Sequence, residues 1–191
     1  MSINLVVFAS GSGTTLQSII DAISNKKLNA KINLVVTNKP EAYALKRAEL
    51  AGIPTYTISA KSTSEIDEEL FDVLKKYEID LIVLAGYLRM IGEKLLSKYT
   101  IINTHPSLLP KFGGKGMHGM HVHQAVIEAK EKVSGVTVHF VNNEYDRGNI
   151  IRQTKVEVLE ADDAESLSAK VQAAEKIQLI EVLQDFEKGK I

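Results

Sequence analysis

Asn103 and His105 are a pair of polar side chains that could do chemistry, because they lie two residues apart at the end of an apolar segment. On a β-strand, residues separated by two point to the same face. An amide donor and an imidazole on one face can stabilise a developing oxyanion, and the imidazole can also carry a proton near neutral pH. A turn before Pro106 with a buried, hydrogen-bonded histidine has the same pattern, so these residues alone leave both interpretations open.

A glycine-rich loop, Ser10–Gly13, provides a second candidate site between a predicted strand at Ile3–Ala9 and a predicted helix that begins at Thr14. Free N–H groups and the positive end of the helix dipole favour an anion there, and phosphate is the ligand we expect. A tight strand-to-helix turn also needs glycine for its backbone, which remains an alternative. A dinucleotide site is disfavoured because Leu16 replaces the third glycine and Thr37 stands where an acidic residue is required.

The elements that position these residues alternate between strand and helix. Short apolar runs rich in branched residues predict buried strands, and apolar residues at helical spacing predict helices that pack one face on a sheet. The predicted strands are Ile3–Ala9, Ile32–Thr37, Pro54–Ile58, Leu81–Leu84 and Ile101–Thr104, and the predicted helices are Thr14–Asn25, Glu41–Ala51, one that follows the Ser62–Glu65 capping box, and Gly92–Lys98. This alternation with short connections implies parallel β-α-β units in an open, doubly wound sheet.

The remainder of the chain departs from this alternation. An irregular stretch at His105–Met120 is long enough to indicate a functional loop or a disordered one. After a predicted helix at Val122–Lys130, the β-rich segments Gly135–Val141 and Ile150–Val158 are joined by a turn-rich linker, which predicts an antiparallel pair. The segment Asp163–Lys188 predicts a long amphipathic helix. Its predicted apolar stripe consists of Leu167, Val171, Ala174, Ile177, Ile180 and Leu183.

The predicted fold class is therefore α/β, a Rossmann-like open twisted sheet that is mostly parallel, with an antiparallel C-terminal part and helices on both faces. The 23 basic residues nearly balance the 24 acidic ones, so no general attraction to nucleic acid or to an anionic membrane is expected. The sequence has no cysteine, which fits a reducing compartment. The N-terminal apolar run is too short to span a bilayer and has no basic region before it, so we expect a cytoplasmic protein.

Four motifs together carry a resemblance to a known family. They are Gly11-Ser12-Gly13-Thr14-Thr15-Leu16-Gln17, Leu84-Ala85-Gly86-Tyr87-Leu88-Arg89, Asn103-Thr104-His105-Pro106-Ser107-Leu108-Leu109-Pro110, and Val138-His139-Phe140-Val141 through Asp146 with Gly148. In order and spacing they resemble the phosphoribosylglycinamide formyltransferases of purine synthesis, over essentially the whole chain. The block that begins at Asn103 is specific to folate-dependent formyltransferases.

The resemblance implies that 10-formyltetrahydrofolate, as co-substrate, donates its formyl group to the glycinamide amine of a phosphoribosyl substrate. Asn103 and His105 would then act on a tetrahedral intermediate. Asp146 would pair with His105, and a carboxylate beside an imidazole raises its pKa. Without the resemblance, Asp146 would be interpreted as an exposed turn carboxylate beside Arg147.

The resemblance also implies the binding residues. Gly13, Thr14 and Thr15 would contact the substrate phosphate, and Glu175 would bind the ribose hydroxyls. The residues implied for the folate side are Leu88, Arg89, Met90, Ile91, Asn103, Val141 and Asn143. We expect one domain, 1–191, with a phosphate-binding half at 1–100 and a catalytic and folate-binding half at 101–191, and a peptide bond at Leu109–Pro110 that is cis.

The chain departs from the family pattern in three places. Thr15 replaces a commoner asparagine, Thr63 replaces an arginine that some members have on the folate side, and the loop Phe112–His121 is longer than in the shortest members. The loop region contains His118, His121 and His123, but their spacing crosses a loop-to-helix junction without a nearby carboxylate. We therefore expect no metal.

Other functions share parts of this pattern. Methionyl-tRNA formyltransferase and formyltetrahydrofolate hydrolase have the same catalytic block but carry additional domains, so the length of this chain favours neither. A non-catalytic Rossmann-like module that binds phosphate or a nucleotide stays open if Asn103 and His105 are structural. The expected partners are small molecules, with no nucleic acid and no membrane, and the expected state is a monomer or weak homodimer.

Overall fold

The computed structural model describes residues 2–191, which contain seven strands and six helices. In chain order they are β1 Ile3–Phe8, α1 Thr14–Ser24, β2 Ala30–Thr37, α2 Tyr43–Leu50, β3 Thr55–Thr57, α3 Thr63–Leu74, β4 Leu81–Leu84, α4 Glu93–Lys98, β5 Ile101–His105, α5 Met120–Glu128, β6 Val133–Phe140, β7 Ile150–Glu157 and α6 Ala164–Glu187. The strands form one sheet in the order β3-β2-β1-β4-β5-β6-β7. Its strand directions confirm the predicted fold class, because β1 pairs in parallel with β2 and β4, and β6 pairs antiparallel with β7.

The chain divides into two compact units, and the first consists of residues up to Ile102 together with Leu183–Ile191. Strand β4 is buried along its whole length, as a central strand covered on both faces must be. Helix α1 buries Leu16, Ile19 and Ala22, which share one face at helical spacing. The predicted capping box at the start of α3 is present.

The second unit comprises Asn103–Val182. Its core contains buried aliphatic side chains of α5, β6 and α6 and of the segment between β7 and α6. They are Val126, Val136, Val158, Leu167 and Val171. Residues 106–119 form no helix or strand, in agreement with the irregular loop predicted there. Strand β6 and its register with β7 provide the frame to which this loop is attached.

The predicted apolar stripe of α6 was partly wrong. Ile177 is 64% exposed, whereas Glu175 and Gln178 are buried. Gln178 is held by a hydrogen bond from its Nε2 to the carbonyl of Arg152, at 2.7 Å. Polar side chains therefore interrupt the buried face of this helix, and hydrophobic spacing alone assigned the wrong residue to it. None of the helices in residues 2–191 is long and apolar enough to cross a membrane.

Candidate active site

Asn103 and His105 lie at the carboxyl end of β5, and the alternation of the strand places them on one face. The His105 side chain is almost fully buried, and Asn103 is half-buried. The Nε2 atom of His105 donates to the carbonyl oxygen of Phe112 at 2.8 Å. The Nδ1 atom lies 3.5 Å from Oδ2 of Asp146. Residues 41 positions apart in the sequence thus meet, as the resemblance implied.

Asp146 contacts two histidines. Its Oδ2 faces His105, and its Oδ1 lies 3.6 Å from Nε2 of His139. The backbone N–H of Gly114 also donates to Oδ2, at 2.9 Å. Asp146 has a left-handed backbone with φ of 55°, a region that aspartate tolerates better than most residues. The Gly114 N–H therefore anchors the carboxylate between the two imidazole rings.

His139 is a member of this cluster to which the sequence assigned no role. Its Nδ1 lies 2.8 Å from the carbonyl oxygen of Phe140, and a carbonyl only accepts, so Nδ1 carries a proton. In the neutral ring Nε2 is then an acceptor, and the Nδ2 of Asn103 donates to it at 3.1 Å. His139 thus orients the amide of Asn103. The sequence feature that could have identified His139 was its position on a predicted strand of the same half of the chain as Asn103 and His105.

Burial and charge act on the pKa of His105 in opposite directions. Burial lowers the pKa of His105 below its ordinary 6.5, and this effect exceeds the raising effects of Asp146 and of the Phe112 carbonyl. The contribution of Asp146 has the expected sign, but burial outweighs it and sets the net direction. Desolvation of the imidazole depends on tertiary packing, which the sequence did not reveal.

Asp146 is ionised beside this histidine. Burial by itself raises the pKa of Asp146, but the two neighbouring histidines, His139 and His105, and the Gly114 N–H together hold it below its usual 3.8. A neutral imidazole against a carboxylate is the arrangement in which the imidazole can take up a proton and be stabilised as a cation. The cluster can therefore move a proton during acyl transfer.

The loop that covers His105 is attached to β6 and β7. The hydroxyl of Thr137 donates to the Ser107 carbonyl at 2.7 Å and accepts from the Leu109 N–H at 3.1 Å. Gln153, which pairs with Thr137 across the strands, donates to the Leu109 carbonyl at 2.9 Å. The peptide bond at Leu109–Pro110 is cis, as expected.

A glycine lets the loop approach Asp146. A Cβ at Gly113 would collide with the Leu109 side chain and would lie 3.3 Å from Cβ of Asp146. A larger residue would have to displace the Leu109 side chain, and Gly113 lets the next residue, Gly114, donate its N–H to the carboxylate with Leu109 in place. This approach is a consequence of packing, and the sequence analysis assigned no role to Gly113.

The glycine loop of the first unit leads from β1 into α1. Gly13 caps the helix with φ of 69°, and no side chain caps it. Ser10 anchors the start of the loop, since its hydroxyl donates to Asn38 at 2.6 Å and accepts from the Leu88 N–H at 3.2 Å. The first N–H groups of α1, which have no partner within the helix, thus lie at Gly13–Thr15. An anion was predicted at this position.

The structure places the other predicted binding residues as follows. Glu175 is buried on α6. On the segment after β4, Leu88 is 42% exposed, Ile91 is buried, and the Arg89 guanidinium donates to the Lys61 carbonyl at 3.0 Å. The remaining predicted folate residues are Met90 and Val141, which are half-buried, and Asn143, which is exposed.

The three histidines of the loop region have separate environments. His118 and His121 are exposed, with ring centroids 5.3 Å apart. His123 lies on the buried face of α5, and its Nδ1 has no hydrogen-bond partner among the described residues. Burial and the nearby charge of His105 lower the pKa of His123. In residues 2–191, no group of three or more His, Asp or Glu side chains is arranged to hold a metal ion.

Comparison with known proteins identifies the family. The model of the formyl transferase family matches residues 3–183. The chain belongs to the formyl transferase family. The block that begins at Asn103 and the whole sheet lie within the matched residues, so membership rests on nearly the complete chain.

Several relatives of the chain are phosphoribosylglycinamide formyltransferases. Phosphoribosylglycinamide formyltransferase of Escherichia coli is 37% identical over 98% of this chain and 89% of its own length. The chloroplastic enzyme of the same name from Arabidopsis thaliana is 40% identical, and this chain spans only 63% of that relative. The structure of phosphoribosylglycinamide formyltransferase from Coxiella burnetii, in complex with CHES, has 39% identity and a TM-score of 0.90, covering 99% of this chain and 89% of that one.

Proposed function

We propose that this protein transfers the formyl group of 10-formyltetrahydrofolate to the glycinamide amine of phosphoribosylglycinamide. The observation that carries the proposal is the buried cluster in which Asp146 lies between His105 and His139, with Asn103 on the same strand end as His105. The similarity to enzymes named for this reaction supports the choice of substrates.

In the proposed reaction, the amine nitrogen forms a bond to the formyl carbon, and the bond from that carbon to the folate nitrogen then breaks. The amine loses one proton, and the leaving folate nitrogen gains one. His105, which is neutral near pH 7 because burial lowers its pKa, accepts and returns that proton at Nε2, and for this step the ring carries its own hydrogen on Nδ1, facing Asp146, in place of Nε2. Asp146 stabilises the imidazolium that forms in between.

Asn103 stabilises the tetrahedral oxyanion. One hydrogen of its Nδ2 is used by His139, so the amide is held in one orientation and its second hydrogen can be donated to the oxyanion. The Nε2 of His105 donates to Phe112 in the structure, and a substrate atom must replace that carbonyl for the reaction. We therefore infer that the segment at Phe112 shifts when substrates bind.

Binding of the two substrates is assigned by the family resemblance. Gly13, Thr14 and Thr15 contact the phosphate, and Glu175 binds the ribose hydroxyls. Residues Leu88–Ile91 and the turn residues Val141 and Asn143 flank the folate, together with Asn103. The division into halves at 1–100 and 101–191, the cytoplasmic location and the state of monomer or weak homodimer stay predictions.

The deciding experiment is a transfer assay. The protein is mixed with phosphoribosylglycinamide and a 10-formylfolate, and the folate absorbance change is followed together with the formylated product. We expect the deformylated folate and the formylated product in equal amounts. The variant His105→Ala should lose about 10²–10⁴-fold in kcat, whereas His121→Ala, a change at an exposed histidine, should retain wild-type activity.

Two outcomes would contradict the proposal. If the wild-type protein binds the phosphorylated sugar but transfers no formyl group, the chain is a binding module. If formylfolate is consumed at the same rate without phosphoribosylglycinamide, water is the acceptor and the activity is that of a hydrolase.

A further inference from the structure

Arg47, on the outer helix α2, contacts the glycine loop of the first unit. Its Nε donates to the carbonyl oxygen of Ser12 at 2.8 Å, and its Nη1 donates to the side chain of Gln17 at 3.0 Å. Its guanidinium carbon also lies 5.0 Å from the centroid of the Tyr43 ring. Three separate partners therefore fix one guanidinium, which an arginine can satisfy through its planar set of donors.

The same helix holds the preceding carbonyl of the loop. The backbone N–H of Ala44 donates to the carbonyl of Gly11 at 3.2 Å. Gly13 packs closely against α2, because a Cβ on it would lie 2.8 Å from Cα and Cβ of Ala44. Two consecutive loop carbonyls, those of Gly11 and Ser12, are thus directed at α2.

This arrangement determines where the loop N–H groups point. In a trans peptide, the carbonyl of one residue and the N–H of the next point in opposite directions. With the carbonyls of Gly11 and Ser12 turned toward α2, the N–H groups of Ser12 and Gly13 point away from it. Within residues 2–191, neither N–H donates to a protein acceptor. They are free to donate to an anion.

Arg47 also brings positive charge to the loop. In the described part of the chain, residues 2–191, no carboxylate forms an ion pair with it, whereas its neighbour Lys46 is paired with Glu49 at 2.9 Å. An unneutralised guanidinium next to the start of α1 adds to the helix dipole, and both favour a phosphate dianion.

We propose that Arg47 is a positioning residue for the substrate phosphate. It aligns the Ser12–Gly13 peptide and supplies charge, and it takes no part in formyl transfer. This inference rests on the proposed function, because that function supplies the phosphorylated substrate. It assigns to α2 a role in substrate affinity.

The variants Arg47→Met and Arg47→Lys test this role, with Lys46→Met as a control on the same helix. Arg47→Met should raise the KM for phosphoribosylglycinamide by about 10- to 100-fold, the loss expected for a charge-assisted hydrogen bond. The kcat and the KM for the formylfolate should stay within about twofold. Arg47→Lys, which keeps the charge but not both hydrogen bonds, should fall between the wild type and Arg47→Met.

A binding measurement separates this inference from the proposed function. Ribose 5-phosphate should raise the melting temperature of the wild-type protein, and Arg47→Met should need about 10- to 100-fold more ligand for the same shift. If wild type and Arg47→Met respond equally, the role of Arg47 is wrong while the proposed function stands. If the wild-type protein does not respond, the proposed function fails at its phosphate site.

A purely structural role would give another pattern. Arg47→Met would then lower kcat and raise both KM values together, and its melting temperature without ligand would fall by more than that of Lys46→Met. That result would overturn the proposal. Equal KM values in Arg47→Met and Lys46→Met would also overturn it.

Discussion

The glycine loop and the candidate catalytic cluster around Asp146 are suited to their proposed roles by different means. At the loop, the donors are backbone N–H groups, and their direction is set by carbonyls tied to α2. In the cluster, the active groups are buried side chains whose protonation depends on one another, with Asp146 between His105 and His139. A site made of backbone groups tolerates side-chain substitutions but not a change of backbone conformation. A site made of titratable side chains is instead most sensitive to substitution of those side chains.

This contrast predicts the largest effect at Asp146. Asp146→Asn removes the charge that stabilises the imidazolium of His105, so we expect kcat to fall by about 10²–10⁴-fold. The pKa of His105 should fall further, and because the neutral ring is the form that accepts the proton, the acid limb of the kcat profile should move to lower pH. The KM for the phosphorylated substrate should change little, since the residues proposed to bind the phosphate lie in the glycine loop.

Steady-state rates measured across pH check this expectation. Glu144→Gln, an exposed carboxylate in the same turn, serves as the control. Wild-type kcat and an unmoved pH profile in Asp146→Asn would mean that another carboxylate stabilises His105.

The second prediction concerns Gly13 and tests whether the glycine loop depends on its backbone conformation. Its φ of 69° is unfavourable for other residues, and a Cβ would lie 2.8 Å from Ala44. Gly13→Ala should therefore lower the free energy of unfolding by about 1–3 kcal/mol and weaken binding of ribose 5-phosphate. Denaturant unfolding and ligand-induced melting shifts measure both effects.

Gly11→Ala is the matched control for Gly13→Ala. A Cβ at Gly11 meets no atom within 4 Å. It should leave stability and phosphate binding close to wild type. If the two variants behave alike, the conformation of Gly13 is not what the loop requires.

Glu175 tests whether substrate binding and catalysis belong to separate regions of the chain. It is buried in the second unit, with the proposed catalytic residues, but resembles a substrate-binding acid. If it binds the ribose hydroxyls, Glu175→Gln should raise the KM for phosphoribosylglycinamide by about tenfold, with kcat little changed. The exposed Glu165→Gln, on the same helix, is the control. A fall in kcat alone would place Glu175 with the catalytic residues.

The smallest effect concerns the acid stability of the second unit. Burial lowers the pKa of His123 below 6.5, so the unfolded chain binds more protons once the pH falls below about that value. Stability should therefore decrease as the pH falls from 6.5 through the folded pKa. His123→Leu should flatten this dependence and leave stability near pH 7.5 almost unchanged, because a buried unpaired nitrogen is replaced by an apolar group.

Urea unfolding at several pH values measures the slope. His121→Leu, at an exposed position, should keep the wild-type slope. A slope that is unchanged in His123→Leu would mean that His105 or Asp146 accounts for the acid sensitivity.

The sequence by itself determined the local structure and the family. Apolar runs and helical spacing predicted the strands and helices to within a few residues at their ends, and the capping box at Ser62 was correct. The two-residue spacing of Asn103 and His105 placed them on one face, because strand parity is a local property. Motif order then indicated the formyl transferase family.

Tertiary structure alone decided the environment of each side chain. The pKa direction of His105, the link from His139 to Asn103, and the contact of Arg47 with Ser12 all depend on packing between residues distant in sequence. The buried position of Glu175 is also a tertiary result, since hydrophobic spacing favoured Ile177. Local pattern specifies which elements form, but desolvation and charge pairing arise only when those elements pack.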